Sequence, residues 1–284
     1  MSNKIIISCL QYTSLNDEKA TLQKISELIR EASDQNSDLI ALPECSTFIF
    51  KNKENTIQNA SFENESLTIK TIKKLANQYK VNILIGSLQT KIFQETKKNF
   101  FLVNRSFLIN TNGNIINKYD KIHLFDVNLS DKETYFESNT YISGDKAVIG
   151  DLYFGSRRVK FGLTICYDLR FPHLYRDLAK AGAEIIFVPS AFSSTTGKIH
   201  WHSLLKARAI ENGCFIIAPA QTGEHFIGRK SFGHSLIISP WGKVLADAKT
   251  NEGIITSKID LDEINICRKK MPSLTNEKPY KLVN

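Results

Sequence analysis

The chain has 284 residues, 42% hydrophobic and 23% charged, the composition of an ordinary globular protein with enough length to bury one large core or two modest ones, which excludes disorder and fibrous repeats. Its net charge of +8 would suit nucleic acid, but Lys and Arg are dispersed among Asp, Glu and Asn and form no basic face with interleaved aromatics, so no nucleic-acid partner is expected. Cys9, Cys45, Cys166, Cys214 and Cys267 are odd in number, widely spaced and free of any C-x-x-C pair, which argues against a disulfide framework or zinc knuckle and for a reducing compartment.

The opening apolar run is shorter than a signal-peptide core, and no segment approaches the ~20 apolar residues of a membrane span. The cytoplasm is therefore the expected location, without a membrane partner. Residues 5–11 (IIISCLQ) read as a buried strand, and 17–35 as an amphipathic helix with Leu22, Ile25, Leu28 and Ile29 on one face. A second strand, 38–44, stops at Pro43 and Glu44. A polar loop, a helix across roughly 63–80 and a strand at 82–89 follow. Next comes a hairpin whose turn carries Asn112 and Gly113, where positive φ is easiest.

The second half repeats this order. It predicts a strand at 158–166, a helix at 172–181, a strand at 184–190, a helix at 200–213, a strand at 214–221, a hairpin over 233–248 and a strand at 253–260. Strands exchanging with helices indicate an α/β fold. With no Pro/Gly/Ser linker, residues 1–284 are expected to form one domain with internal pseudo-symmetry, and about 271–284 a tail that packs on something or reaches a partner.

Three predicted strands end near a reactive side chain: Glu44 after LIALP, Lys121 in NKYDKIHLF and Cys166 in FGLTICYD. Ligands of α/β proteins bind beyond the carboxyl ends of strands. Singly, each residue has a plain structural alternative, with Cys166 a core thiol, Glu44 a helix cap or solvated acid and Lys121 a surface charge. Together they suit attack on an amide carbonyl. Cys is the nucleophile, a carboxylate whose pKa is raised by a water-poor pocket is its base, and Lys with the Tyr167 N–H would hold the oxyanion. A Cys–His pair is the competing arrangement and would bring His123, His173 or His234 to Cys166.

The segments LPECSTF, NKYDKIHLFDV, LTICYDLRFP, VPSAFSSTTGKIHW, KARAIENGCFI and FGHSLIISPWGKVLAD resemble the nitrilase, or carbon-nitrogen hydrolase, superfamily, and specifically its Nit branch. The resemblance runs from residue 5 to about 270, with every motif in family order. It places the catalytic Glu, Lys and Cys on Glu44, Lys121 and Cys166, and a second acid on Glu137 through the ES…G pattern. It implies a four-layer α-β-β-α sandwich, two subunits pairing into an α-β-β-α-α-β-β-α homodimer or a higher homo-oligomer, and neither metal nor organic cofactor. It also implies hydrolysis, by water, of a small-molecule amide, with release of ammonia through a cysteine thioester.

Within the branch, VPSAFSS, LLKARAIEN and APAQTGEHFIGRKSFGHS are more similar to amidases of deaminated glutathione than to omega-amidases acting on α-keto acid amides such as α-ketoglutaramate. A catalytically silent scaffold is the remaining alternative, disfavoured because Glu44, Lys121 and Cys166 are all present. Carboxylate-bearing substrates call for cationic donors. Arg170, four residues after Cys166, is the first candidate, with an ion pair to Asp168 as its structural alternative. Arg229 and Lys230 lie in a loop long enough to fold over a pocket or to stay solvated, and Phe192 and Thr196 are placed as pocket walls. One departure stands out: many relatives carry an acid after the Trp of the HW pair, where this chain has His202. His200 and His202, two apart on a helix, point in different directions, and no third ligand has a recognisable spacing, so no metal is expected.

Overall fold

The computed structural model describes residues 3–130 and 133–283. Its first half runs β1 (Lys4–Gln11), α1 (Glu18–Asp34), β2 (Leu39–Ala41), α2 (Lys53–Asn59), β3 (Ser61–Phe62), α3 (Leu67–Tyr79), β4 (Asn82–Gln94), β5 (Asn99–Ile109) and β6 (Ile115–Asp120). A hairpin of β7 (Asp126–Ser130) and β8 (Glu133–Phe136) leads to β9 (Val148–Phe154), β10 (Arg157–Leu163), α4 (Pro172–Lys180), β11 (Ile185–Phe187), α5 (Ser194–Asn212) and β12 (Phe215–Ala218). A second hairpin, β13 (Thr222–Phe226) and β14 (Arg229–Phe232), precedes β15 (Leu236–Ile238), β16 (Val244–Asp247), β17 (Gly253–Asp260) and α6 (Asp262–Lys270).

Two sheets carry the structure, in the orders β17-β1-β2-β4-β5-β6 and β9-β10-β11-β12-β15-β16. Each has one antiparallel strand, then three parallel strands, then two antiparallel ones, which is the pseudo-symmetry expected from the repeated strand–helix order. Alternation along the strands separates the layers. Leu10, Ile40, Ile83, Ile85, Phe107 and Ile109 pack under Ile25 and Ile29 of α1 and Ile72 of α3. On the opposite face Ile7, Cys9, Leu39, Ala41 and Leu84 join the core built with the second sheet. Beyond that sheet lies α4, whose Leu178 occupies the space a Cβ on Gly162 of β10 would need. The fold is thus the four-layer α-β-β-α sandwich.

Local chemistry sets the element ends. The Asp17 side chain accepts from the Lys19 and Ala20 amides and caps α1, Ser66 caps α3 at Ile69, and Pro172 opens α4 where no N–H is needed. Gly213 closes α5 at φ 56°. Boundaries shift from the sequence expectation where caps override hydrophobic pattern. The helix expected at 200–213 begins at Ser194, because the Ser193 side chain accepts from the Thr195 amide. The strand expected to reach 166 stops at Leu163, because Cys166–Arg170 forms a 3-10 turn. The tail after Met271 packs first, with Leu274 against the core and Glu277 paired to Arg176 and Lys180, and then runs exposed through Tyr280 and Leu282. Among the described residues, no helix is long and apolar enough to cross a membrane.

Candidate active site

The three strand-end residues converge. Glu44 follows β2, Lys121 follows β6 and Cys166 follows β10, all just past carboxyl ends. Gly86 of β4 permits this, since a Cβ there would sit 2.1 Å from the Leu42 carbonyl oxygen. The Lys121 Nζ donates to Glu44 Oε1 and to Glu137 Oε2, each at 2.8 Å. Glu44 Oε2 accepts the Ala191 amide at 2.8 Å, and the Cys166 thiol hydrogen-bonds the same carboxylate. Glu137 is fixed in turn by the Phe125 amide at 2.7 Å.

Cys166 sits at φ 46°, a left-handed backbone that L-residues adopt only under constraint. The constraint is visible: its own N–H donates to the Pro189 carbonyl, and the fully buried Asp168 holds the turn. Asp168 accepts from the Ile165 amide, the Tyr119 hydroxyl, and both the amide and Nδ1 of His123. Tyr119 and His123 flank Lys121, so one carboxylate registers the cysteine turn against the lysine segment. The Tyr167 N–H lies in the first turn of that 3-10 segment, where amides lack partners within the turn.

Electrostatics give each group a distinct resting state. Burial alone would raise Glu44, but the Lys121 charge, with hydrogen bonds from Lys121, Ala191 and Cys166, holds it below the usual carboxylate value. This corrects the raised pKa expected from the sequence. The ion pair and the hydrogen bonds together outweigh desolvation. Burial works against Lys121 too, yet Glu137 and Glu44 keep its ammonium well above its ordinary value. Burial first, and then the Glu44 charge, push the Cys166 thiol up. At rest the cluster therefore holds a neutral thiol, an ammonium and two carboxylates.

These groups line a cavity of about 240 Å³ together with Tyr167, Phe192, Thr196, Tyr135 and Arg229. That volume suits a small molecule rather than a polymer. Arg170 is not among the lining residues. The 3-10 turn carries its guanidinium behind the wall, over the Tyr167 and Phe192 rings and 3.3 Å from His200 Nδ1, so it meets neither Asp168 nor the cavity. Arg229 takes the inward place. Its guanidinium lies over the Tyr135 ring and donates to the Tyr135 hydroxyl and, at 2.7 Å, to the Ala191 carbonyl. No histidine lines the cavity among the described residues, and His123 is engaged by Asp168, so a Cys–His pair does not form.

Sequence reasoning missed Asn104 and the Ala191 amide. The Asn104 side chain, buried in β5, donates to Glu44 Oε1 at 3.0 Å and to Glu137 Oε1 at 3.1 Å. It is one of three consecutive polar residues, Asn104, Arg105 and Ser106, between the apolar runs of β5, and nothing in that triplet singles it out. Cys45, beside Glu44, bends the chain at φ 51° and lines the cavity, with burial pushing its thiol well up.

Known proteins resemble this chain along nearly its whole length. The carbon-nitrogen hydrolase family profile matches residues 6–269. A deaminated glutathione amidase of Synechocystis is 41% identical over 269 residues, spanning 95% of this chain and 96% of that protein. One from Dictyostelium discoideum is 40% identical, spanning 94% and 92%. Among solved structures, the C. elegans NitFhit protein superposes with a TM-score of 0.87 at 31% identity, covering 98% of this chain, which spans 66% of that longer protein. Saccharomyces cerevisiae Nit3, described as a member of branch 10 of the nitrilase superfamily, gives 0.82 at 29% identity over 95% of this chain and 94% of its own.

Proposed function

We propose, from the premise that this chain belongs to the carbon-nitrogen hydrolase family, that it hydrolyses the amide of deaminated glutathione with Cys166 as nucleophile. The observation that carries the reading is the cluster of Glu44, Lys121 and Cys166 at one cavity wall, with two carboxylates sharing a single ammonium.

The resting charges define the first step. A neutral thiol cannot attack well, and a free thiolate beside Glu44 is disfavoured, so proton transfer to Glu44 accompanies S–C bond formation. The carbonyl oxygen takes up negative charge and is met by the Lys121 ammonium and the Tyr167 N–H. Glu44 then hands the proton to the amide nitrogen, the C–N bond breaks and ammonia leaves. In the second half Glu44 takes a proton from water, hydroxide equivalent adds to the thioester carbon, and the proton returns to the departing thiolate. One base serves both halves because each returns it to its starting state. Glu137 and Asn104 position Lys121 and Glu44.

Deaminated glutathione carries an α-keto acid carboxylate and a second carboxylate at its glycine. Arg229, the one arginine among the described residues that lines the cavity, is assigned to one of these, with Thr196 and Phe192 shaping the wall. A homodimer in the cytoplasm belongs to the same proposal. It is supported by five free cysteines and by exposed Ile199 and Ile210 on α5, with Trp241 also exposed. The test is ammonia release from deaminated glutathione, α-ketoglutaramate and an N-carbamoyl amino acid. Preference for the first is expected. Preference for α-ketoglutaramate would shift the reading to an omega-amidase, and activity on the carbamoyl compound alone would overturn the amide assignment.

A further inference from the structure

Away from the cavity, His202, His234 and Asp247 present one ligand atom each within 4.8 Å of one another. They come from three separate places: His202 from α5, His234 from the turn before β15, and Asp247 from the end of β16. His234 Nδ1 lies 2.9 Å from Asp247 Oδ1, and His202 Nε2 lies 3.5 Å from Asp247 Oδ2. Tetrahedral bonds of about 2.0–2.1 Å put neighbouring ligand atoms roughly 3.3–3.4 Å apart, so these separations need only small adjustment. The two imidazole rings stand 74° apart with centroids at 5.0 Å, and each turns a nitrogen to the same carboxylate.

His200 and His202 do diverge, as their spacing requires. His200 turns to Arg170, and His202 turns instead toward residues distant in sequence. His234 is held in place by its backbone. It sits at φ 55°, donates its N–H to the Lys249 carbonyl, and stacks its ring on Phe232 at 4.5 Å. Such preorganised imidazoles beside a carboxylate are the donor set of a borderline divalent cation.

We propose that His202, His234 and Asp247 form a binding site for a divalent transition cation such as Zn²⁺, with water as the fourth ligand. Two positive groups oppose it. Lys249 Nζ pairs with Asp247 Oδ2 at 2.7 Å, and Lys206 lies one turn along α5 from His202. The Lys249 side chain is 70% exposed, so its ion pair is weak and the arm swings into solvent when a doubly charged ion arrives. Ligation through Nδ1 takes the neutral imidazole of His234 with its proton on Nε2, in place of the hydrogen bond to Asp247. The bound ion staples α5 to the edge of the second sheet. That joint lies behind the cavity, because the His234 carbonyl accepts Trp201 Nε1 at 2.8 Å and Trp201 packs on Phe192 with ring centroids 5.0 Å apart.

The test is calorimetric titration of the EDTA-treated full chain with Zn²⁺, beside Co²⁺ absorption spectra and thermal melts. One ion per chain is expected, together with a visible Co²⁺ band lacking thiolate charge transfer and a higher Tm with Zn²⁺. Binding persists in Cys166→Ala and falls by at least about tenfold in His202→Gln and in His234→Asn, whose Asn tolerates left-handed φ. It is unchanged or tighter in Lys249→Met. Unchanged affinity in both histidine variants, binding that vanishes with Cys166→Ala, a thiolate–Co²⁺ band, or no binding to the wild-type chain would each overturn the site.

Discussion

Replacing Lys121 by Met keeps the length of the side chain and deletes the ammonium that joins Glu44 to Glu137. Both carboxylates are then left with side-chain exposures of 5% and 13% and no cation between them. Breaking a buried ion pair this way typically costs about 3–5 kcal/mol, because the remaining charge is uncompensated. In the wild type, Glu44 sits below its ordinary pKa, so its contribution to stability is present above the unfolded value and fades as pH falls through the folded one. In the variant the sign reverses. One of the two carboxyls has a raised folded pKa, so the folded state takes up a proton, and stability is lost as pH rises through that raised value. Urea unfolding of Lys121→Met should therefore show a larger deficit at about pH 8 than at about pH 5. Ammonia release should fall by more than the roughly 10²–10³-fold of one lost oxyanion donor, since the base is also compromised. Adding Glu137→Gln should restore part of the stability and none of the activity. A variant within about tenfold of wild-type activity, or one whose stability deficit is the same at both pH values, would refute the ion-pair argument.

Three further outcomes follow from the same geometry. Asn104→Ala should lower kcat by roughly 10–100-fold, because each lost hydrogen bond to a charged group is about 1.5–3 kcal/mol; steady-state kinetics beside a thermal melt separate this from unfolding. Arg229→Met should raise KM for the dicarboxylate substrate by about 10-fold or more while Arg170→Met leaves KM nearly unchanged, and the opposite ranking would return Arg170 to the substrate. The pH profile of kcat/KM should be flat from about pH 6 to 8, since Glu44 titrates below that window and Cys166 above it, whereas an acid limb near about 6.5 would indicate a histidine base.

The convergence of Glu44, Lys121 and Cys166 was legible chiefly through the family motifs around them, since each follows a strand but only β2 and β10 are apolar runs, β6 reading IINKYD. Residues whose role depends on tertiary approach were not. Asn104 faces two acids from distant segments, and nothing on β5 announces it. Arg170 looked closer to Cys166 than Arg229, yet a 3-10 turn rotates it behind Tyr167, while the β13–β14 hairpin brings Arg229 inward. The two-layer pairing of sheets came from the family resemblance, the residue pattern by itself giving only a repeated strand–helix order. The polar helix α2 lacks the apolar periodicity that marked the others, and the β7–β8 hairpin alternates over too few residues to stand out. The direction of the Glu44 shift needed distances, because burial and a lysine 2.8 Å away act in opposite senses.

The central claim is that Cys166 carries the acyl group between the two half-reactions. Acid-quenched intact-mass spectrometry during turnover of deaminated glutathione tests it most directly, with peptide mapping of any adduct. The wild-type chain should gain the mass of the acyl group, mapped to Cys166 and discharged by hydroxylamine, and Cys166→Ala should show neither adduct nor ammonia. Turnover without an adduct on Cys166, or an acyl group mapped to Cys45, would contradict it.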